Sequence, residues 1–199
     1  MNLQNQYLFN ERKAAQTAAF FIFKAGGSLE ILKLMKLMYL AERESLKQYG
    51  ESITGDAFVS MPHGPVLSMT LDCINGNAVN VLNGWESWIT DRTGRQVSLK
   101  DPSMLRDERD LGALSKADLK ILQQTWAEYG HFAAWTLRDM THGQLCPEWT
   151  NPNGSSRPID IVNLFKILGY SEETAIALFE NMCEQAEINR IFSQNQGKV

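Results

Sequence analysis

The sequence predicts a mainly α-helical fold, a compact bundle of about seven helices with one small β-hairpin, on the borderline between all-α and α+β. Apolar side chains recur at helical spacing in long stretches bounded by capping residues and glycines. Residues 88–99 alone show the alternation and turn glycine of a hairpin. The 199 residues are 44% hydrophobic and 21% charged, an ordinary globular composition. We therefore expect one domain over residues 1–199, with C-terminal helices in 159–192 packed on a motif-bearing region, 13–149.

Three helices are predicted in the first 74 residues. The first begins after Asn10, whose side chain can cap it, and ends at the glycine pair that starts with Gly26. The second covers residues 29–49 and is so apolar that we expect it at the centre of the fold. The third covers residues 65–74 and begins at Pro65, because a proline costs no hydrogen bond at the first helical position.

Three segments between the helices lack helical periodicity. Residues 51–65 contain two glycines and two prolines, which predict a structured loop with a brief extended piece at 57–61. Residues 88–99 are predicted to form the hairpin, with Gly94 in its left-handed turn position. The charged residues 101–110 are expected to link this hairpin to the next helix.

Four more helices and the longest loop are predicted in the C-terminal half. Ser115 can cap a helix that ends near residue 129, and a second helix covers 132–140. Residues 143–158 contain three prolines, so we expect an irregular loop there. Glycine- and serine-bounded helices at 159–168 and 172–192 complete the chain.

Composition excludes several classes of protein. The net charge of −4 disfavours a nucleic-acid partner, since phosphate binding needs positive charge. The three widely spaced cysteines form neither a disulfide framework nor a thiolate metal motif. The apolar run at 18–23 is six residues long, whereas a membrane span needs about 20. We therefore expect a cytoplasmic protein with reduced thiols and no membrane segment.

One group of residues permits a catalytic interpretation. His142 and Cys146 stand four residues apart, with Asp139 just before them, so a thiol nucleophile with a base, or part of a metal site, can be drawn there, with His63 as a further member. No glycine-rich phosphate loop or metal-binding motif accompanies them. The favoured interpretation is that Cys146 fills an apolar space, with no catalytic residues, metal site or cofactor in the chain.

The five tryptophans are the main candidates for contact with a partner, since large aromatic side chains build both cores and interface hot spots. Trp126 and Trp135 occur in helical patterns and are predicted to lie in the core. Trp85, Trp88 and Trp149 occur in hairpin or loop segments. We therefore expect partner contact or satellite packing at these three positions.

Several short motifs together resemble the Panacea domain. A Lys-Leu-x-Lys-Leu-x-Tyr-Leu-Ala helix precedes a polar turn and a His-Gly-Pro sequence, and a Thr-His pair followed by Trp149 comes later. The motif positions are Lys33, Lys36, Tyr39, Asp56, His63, Gly64, Pro65, Thr141 and His142. We expect these residues to be mainly structural. Asp56, His63, Thr141 and His142 are further expected to form a buried polar network, because buried polar groups need partners.

This resemblance implies a binding protein. Panacea-domain proteins act as antitoxins of toxin–antitoxin pairs, often in prophages, by binding widely different toxins, and one is an adaptor that delivers its toxin to a protease. The expected function is neutralisation of a cognate protein toxin, encoded by the adjacent gene, by direct binding. The alternatives that stay open are an adaptor for a protease and, in another class, a small metal- or thiol-dependent hydrolase. Homo-oligomerisation is compatible with each of these functions.

Overall fold

The structure is a computed structural model that describes residues 8–78 and 81–196. Eight α-helices and five short strands are defined within these residues. The helices are α1 (Glu11–Lys24), α2 (Ile31–Tyr49), α3 (Ser68–Ile74), α4 (Trp85–Trp88), α5 (Lys116–Tyr129), α6 (Ala134–Thr141), α7 (Ile161–Ile167) and α8 (Glu172–Gln196). The strands are β1 (Ser28–Glu30), β2 (Phe58–Met61), β3 (Gly64–Leu67), β4 (Gln96–Ser98) and β5 (Arg157–Pro158). The prediction of a mainly helical fold with a small β component is confirmed.

The central position predicted for the second helix is what the structure shows. α2 contacts α1, α5, α6 and the strands β1 and β3. Leu34, Leu37 and Met38 on this helix are completely buried, because apolar residues cover most of its circumference. Gly50 ends α2 in the left-handed conformation, with φ of 69°, which a glycine adopts without strain.

The hairpin predicted at residues 88–99 is only partly formed. Trp88 lies in the short helix α4, and β4 also pairs with β1, with Leu29 opposite Val97. The two arms still pair through isolated bridges between Ile89 and Leu99 and between Thr93 and Gln96, and the Thr90 amide donates to the Ser98 carbonyl at 3.0 Å. Gly94 has the predicted left-handed conformation, with φ of 63°. The added long-range pairing buries Leu29 and Val97 together, a gain that the local turn alone does not provide.

The prediction that Pro65 opens a helix is wrong. Pro65 lies in strand β3, opposite Ser60 of β2, and the helix begins three residues later. The strand order β3–β2–β5 places β3 at the edge of its sheet, where a proline is tolerated. Residues 57–67 therefore form a hairpin, with Pro62 and His63 at its tip, in place of a loop with one extended piece.

The segments predicted to be irregular contain short regular elements. Residues 101–110 include two 3₁₀ turns, Pro102–Met104 and Glu108–Asp110. The long loop ends in β5, which pairs with β2. The Ile159 amide then donates to the Phe58 carbonyl at 2.9 Å, and this pairing delays the start of α7 to residue 161. These pairings involve distant segments, so no local pattern indicates them.

A single cluster of buried apolar side chains runs through the molecule from Ala15 to Ala175. It includes residues of α7 and α8, such as Phe165, as well as residues of the motif-bearing region. This continuity supports the proposal that the 199 residues form one domain. Among the described residues, no helix is both long enough and apolar enough to cross a bilayer.

A buried carboxylate joins α2 to the loop that follows it. Glu42 is completely buried and accepts hydrogen bonds from the Ile53 amide at 2.8 Å, the Thr54 amide at 2.7 Å and the Ser52 hydroxyl at 2.7 Å. The Thr54 hydroxyl also donates to it. Burial raises the pKa of Glu42, while these hydrogen bonds oppose that rise. The carboxylate thus supplies the hydrogen-bond acceptors that the amides of this short connection would otherwise find in water.

We expect Glu42→Gln to lower the free energy of unfolding by about 2 kcal/mol. The substitution replaces a carboxylate oxygen, which accepts hydrogen bonds, with an NH₂ group that points at the N–H and O–H donors of residues 52–54. Urea unfolding measures this change. Glu44→Gln is the matched control, since Glu44 lies on the same helix but bonds only to exposed partners, and its effect should stay within about 0.5 kcal/mol. Equal effects of the two substitutions would contradict this role of Glu42.

Candidate functional site

Several of the motif residues meet where α2, the β2–β3 hairpin and α6 touch. Lys36 lies on the inward face of α2 and is completely buried. Its Nζ donates a hydrogen bond of 2.7 Å to the carbonyl oxygen of Pro65. A buried ammonium group is tolerated only with such partners. Lys36 therefore connects the central helix to the edge strand of the three-stranded sheet.

Gly64 is required at the centre of this contact. Its φ of +97° lies in the left-handed region, which side chains rarely adopt. A Cβ on this residue would lie 2.7 Å from the Nζ of Lys36, 3.0 Å from the Oγ1 of Thr141 and 3.1 Å from the Cδ2 of His142. The absence of a side chain thus lets the hairpin approach α2 and the end of α6 closely.

His142 and Trp149 attach the long loop to the same hairpin. Their rings stack with centroids 4.2 Å apart and an interplanar angle of 11°. The Trp149 Nε1 donates to the carbonyl of Met61 at 3.0 Å, and the Thr150 amide donates to the Ser60 hydroxyl at 3.2 Å. The indole of Trp149, which was a candidate for partner contact, is half-buried and serves this internal attachment.

Sequence reasoning missed Glu148, which is a central acceptor in this region. Its side chain is fully buried and its Oε1 accepts from the Tyr39 hydroxyl and from the Arg43 Nε, each at 2.9 Å. A single glutamate before a tryptophan belongs to no recognisable sequence motif. Its partners lie more than one hundred residues away, so no spacing in the sequence indicates the contact.

The structure brings together only part of the predicted polar network. Of its four members, Thr141 and His142 lie beside Gly64 and Lys36, and His63 is exposed at the hairpin tip. Asp56 lies elsewhere and caps α3 from outside. The Asp56 carboxylate accepts from the amides of Met69 and Thr70, each at 2.8 Å, and from the Thr70 hydroxyl at 2.6 Å. Burial raises the pKa of Asp56 to about 6, although these donors lower it.

Lys33 also lies apart from this group of neighbours. Its Nζ donates to the carbonyl of Gly130 at 2.7 Å and lies 5.7 Å from the centre of the Trp126 ring. Lys33 therefore connects α2 to the end of α5.

The residues that suggested a hydrolase have other partners. Cys146 is buried, and burial, followed by the charge of Glu148, raises the pKa of its thiol, which keeps it protonated and weakly nucleophilic. Asp139 pairs with Arg138 at 2.6 Å, and His142 stacks on Trp149. Among the described residues, no group of three or more His, Cys, Asp or Glu side chains is arranged to hold a metal ion.

The exposure of the tryptophans differs from the predicted distribution. Trp85 and Trp88 are 4% and 8% exposed and lie in the core, because α4 packs against α1. Trp126 is half-buried. Trp135 was predicted to lie in the core, but 48% of it is exposed, because it projects from the first turn of α6.

Trp135 is part of a small exposed surface above the motif residues. The Arg138 guanidinium lies 5.0 Å from the centre of its ring. His63, at the hairpin tip, makes an edge contact with centroids 5.8 Å apart. We call His63, Trp135 and Arg138 the Trp135 surface. His63 is thus the motif residue that reaches the exterior, next to the buried Gly64.

The buried cation gives this region an unusual electrostatic character. The pKa of Lys36 is lowered to about 7, mainly by burial; Cys146 opposes this shift and the charge of Arg138 adds to it. The pKa of His142 is also lowered, by burial first and then by the charges of Arg138 and Lys36. Positive charge is therefore disfavoured at the junction of α2, the hairpin and α6.

The stability of the protein should depend on pH through Lys36. Its pKa is lower in the folded state than the ordinary 10.5, so the folded state releases this proton first and stability rises with pH above about 7. Between about pH 7 and pH 9, the free energy of unfolding of the wild type should increase relative to Lys36→Met by about 1 kcal/mol per pH unit. Urea unfolding at each pH measures this difference. The control Lys120→Met, at an exposed position, should follow the wild type, and parallel curves for all three proteins would refute the assignment.

Comparison with known proteins agrees with this arrangement of motifs. A family model described as antitoxin SocA-like, Panacea domain, matches residues 34–150, which is more than half of the chain. Comparisons with curated proteins and with solved structures found no match. The matched region contains all of α2 but its first three residues, the hairpin and α6, with the contacts among them. The chain therefore belongs to the SocA-like antitoxin family that carries the Panacea domain.

Proposed function

We propose that this protein neutralises a cognate protein toxin by binding it directly, and that the Trp135 surface is a central part of the interface. The observation that carries this proposal is the half-exposed indole of Trp135, held between Arg138 and His63. Tryptophan and arginine are the side chains most enriched among interface hot spots. The membership of the antitoxin family supports a protein partner.

The position of this surface follows from the buried contacts beneath it. His63 precedes Gly64, whose approach to Lys36 and Thr141 fixes the hairpin tip. Trp135 and Arg138 lie on α6, which packs against α2 through residues such as Leu137. A surface held in this way loses little conformational freedom on binding, so more of the contact energy contributes to affinity.

The remaining motif residues support the scaffold in this proposal. Lys36 and Thr141 are completely buried and His142 is half-buried beside Gly64, and Trp85 and Trp88 are covered by the core. These side chains present little area to a partner. Trp149 is half-buried beside the hairpin and can contribute at the edge of the interface.

Co-expression with the product of the adjacent gene tests the proposed function. We expect that gene product alone to arrest growth and this protein to restore growth in a stoichiometric complex. Restored growth with accelerated, protease-dependent loss of the toxin would instead indicate delivery to a protease. A harmless neighbour, or a toxin that stays active in the presence of this protein, would refute neutralisation of that partner.

The substitution Trp135→Ala tests the proposed surface. Loss of a central indole should weaken toxin binding more than about tenfold, with little change in melting temperature because the ring is half-exposed. Calorimetry of the purified pair measures the dissociation constant. Tyr49→Ala is the matched control, since Tyr49 is an aromatic residue of similar exposure, 43%, on another part of the surface. Equal affinities of the two variants would refute the assignment of this surface.

A further inference from the structure

A groove of about 980 Å³ separates α8 from the sheet and from α3. Phe58, Val59 and Met69 line one wall, and Phe179, Met182 and Cys183 of α8 line the other. We call this cavity the α8 groove. Its size is in the range of sites that hold a drug-sized molecule or a short peptide segment.

The groove leaves part of an apolar helix face uncovered. Ala175 and Ala186 of α8 are buried, whereas Phe179, Met182 and Cys183, which lie between them along the same face, are only half-buried. An apolar helix face usually packs fully against its neighbour. The incomplete coverage of these larger side chains marks a surface on which another apolar segment fits.

Acidic side chains border this apolar surface. α8 carries five glutamates and one arginine. Glu180 and Glu184 are exposed and form no ion pair with the residues that the structure describes. They follow Phe179 and Cys183 by one position, which is about 100° around the helix axis. Asp72 lies in the opposite wall, so negative charge is present on both sides of the groove.

We propose that the α8 groove binds a segment of the toxin in which apolar side chains are flanked by lysine or arginine. The apolar walls would accept the apolar side chains of that segment, and the acidic borders would attract its lysine or arginine side chains. This inference rests on the proposed function, since it identifies a second contact with the same partner.

Two structural relations support a shared partner. The groove and the Trp135 surface lie along the same hairpin: Phe58 and Val59 line the groove, and His63 lies at the tip. The wall formed by α8 lies beyond residues 34–150, which the family model matches. The groove therefore adds a contact outside the shared region, where selectivity among toxins can be set without altering the motif scaffold.

Cys183 provides a direct probe of occupancy. Cys73 and Cys146 are buried, whereas Cys183 is half-exposed in the wall of the groove. In the full chain, a maleimide should modify Cys183, and saturating toxin should slow that reaction more than about tenfold, since a seated segment covers the thiol. Mass spectrometry of the labelled peptide measures the rate, and Cys183→Ser confirms the assignment of the signal.

Charge reversal tests the chemistry of the occupant. Glu180→Lys with Glu184→Lys should weaken toxin binding by about tenfold, mainly through slower association, and should reduce its dependence on salt. Asp91→Lys is the control, because Asp91 is an exposed acidic residue in a distant turn. Both variants should keep the melting temperature of the wild type, since these side chains form no hydrogen bond or ion pair within the part of the chain that the structure describes.

The outcomes separate this inference from the proposed function. Neutralisation with an unprotected Cys183 and unchanged affinity of the charge-reversed variant would overturn the groove inference and leave the antitoxin function intact. Failure to neutralise would overturn both.

Faster labelling of the free chain after deletion of residues 2–7 would assign the groove to the chain's own N-terminus. A labelling rate that falls with the concentration of the chain alone would assign it to a second copy. Each of these last two results would also overturn the inference.

Discussion

The buried contact between Lys36 and the Gly64-Pro65 backbone is the constraint on which the rest of the structure depends. An ammonium group in the interior is unfavourable unless its protons are bonded, and Lys36 bonds to the Pro65 carbonyl at 2.7 Å. That bond is possible only because residue 64 has no side chain, since a Cβ would collide with the Nζ itself. The lysine and the glycine therefore depend on each other, and together they set the distance between the central helix and the hairpin.

Other parts of the molecule are attached to this junction. The end of α6 reaches it through Thr141 and His142, and the stack of His142 on Trp149 brings in the long loop. Further along the same face of α2, Glu148 accepts from Tyr39 and Arg43, which ties the same loop to the helix. The hydrogen bonds of Lys36 and Glu148 favour one arrangement of this region, because breaking them leaves a buried polar group without a partner. We expect this rigidity to orient the exposed residues above it.

The motif of this antitoxin family is thus used mainly inside the molecule in this chain. Its buried members hold the hairpin and two helices, which leaves outer features for contact with partners. The proposed interface has two such features, the aromatic and cationic Trp135 surface and the apolar, acidic α8 groove. Their different chemistry provides a physical basis for selectivity, because a partner must match an indole at one end of the hairpin and carry positive charge at the other.

The sequence by itself determined the helical class, the central helix and most helix boundaries, because caps, glycines and apolar periodicity act within a few residues. Asn10 caps α1 and Ser115 caps α5 as their local patterns indicate, and the motifs identified the family. Only the tertiary structure decided the pairing of β1 with β4, the strand at Pro65, the partners of Glu148 and the exposure of Trp135. Those features depend on segments far apart in the chain, where burial and hydrogen bonding across the fold outweigh local preference.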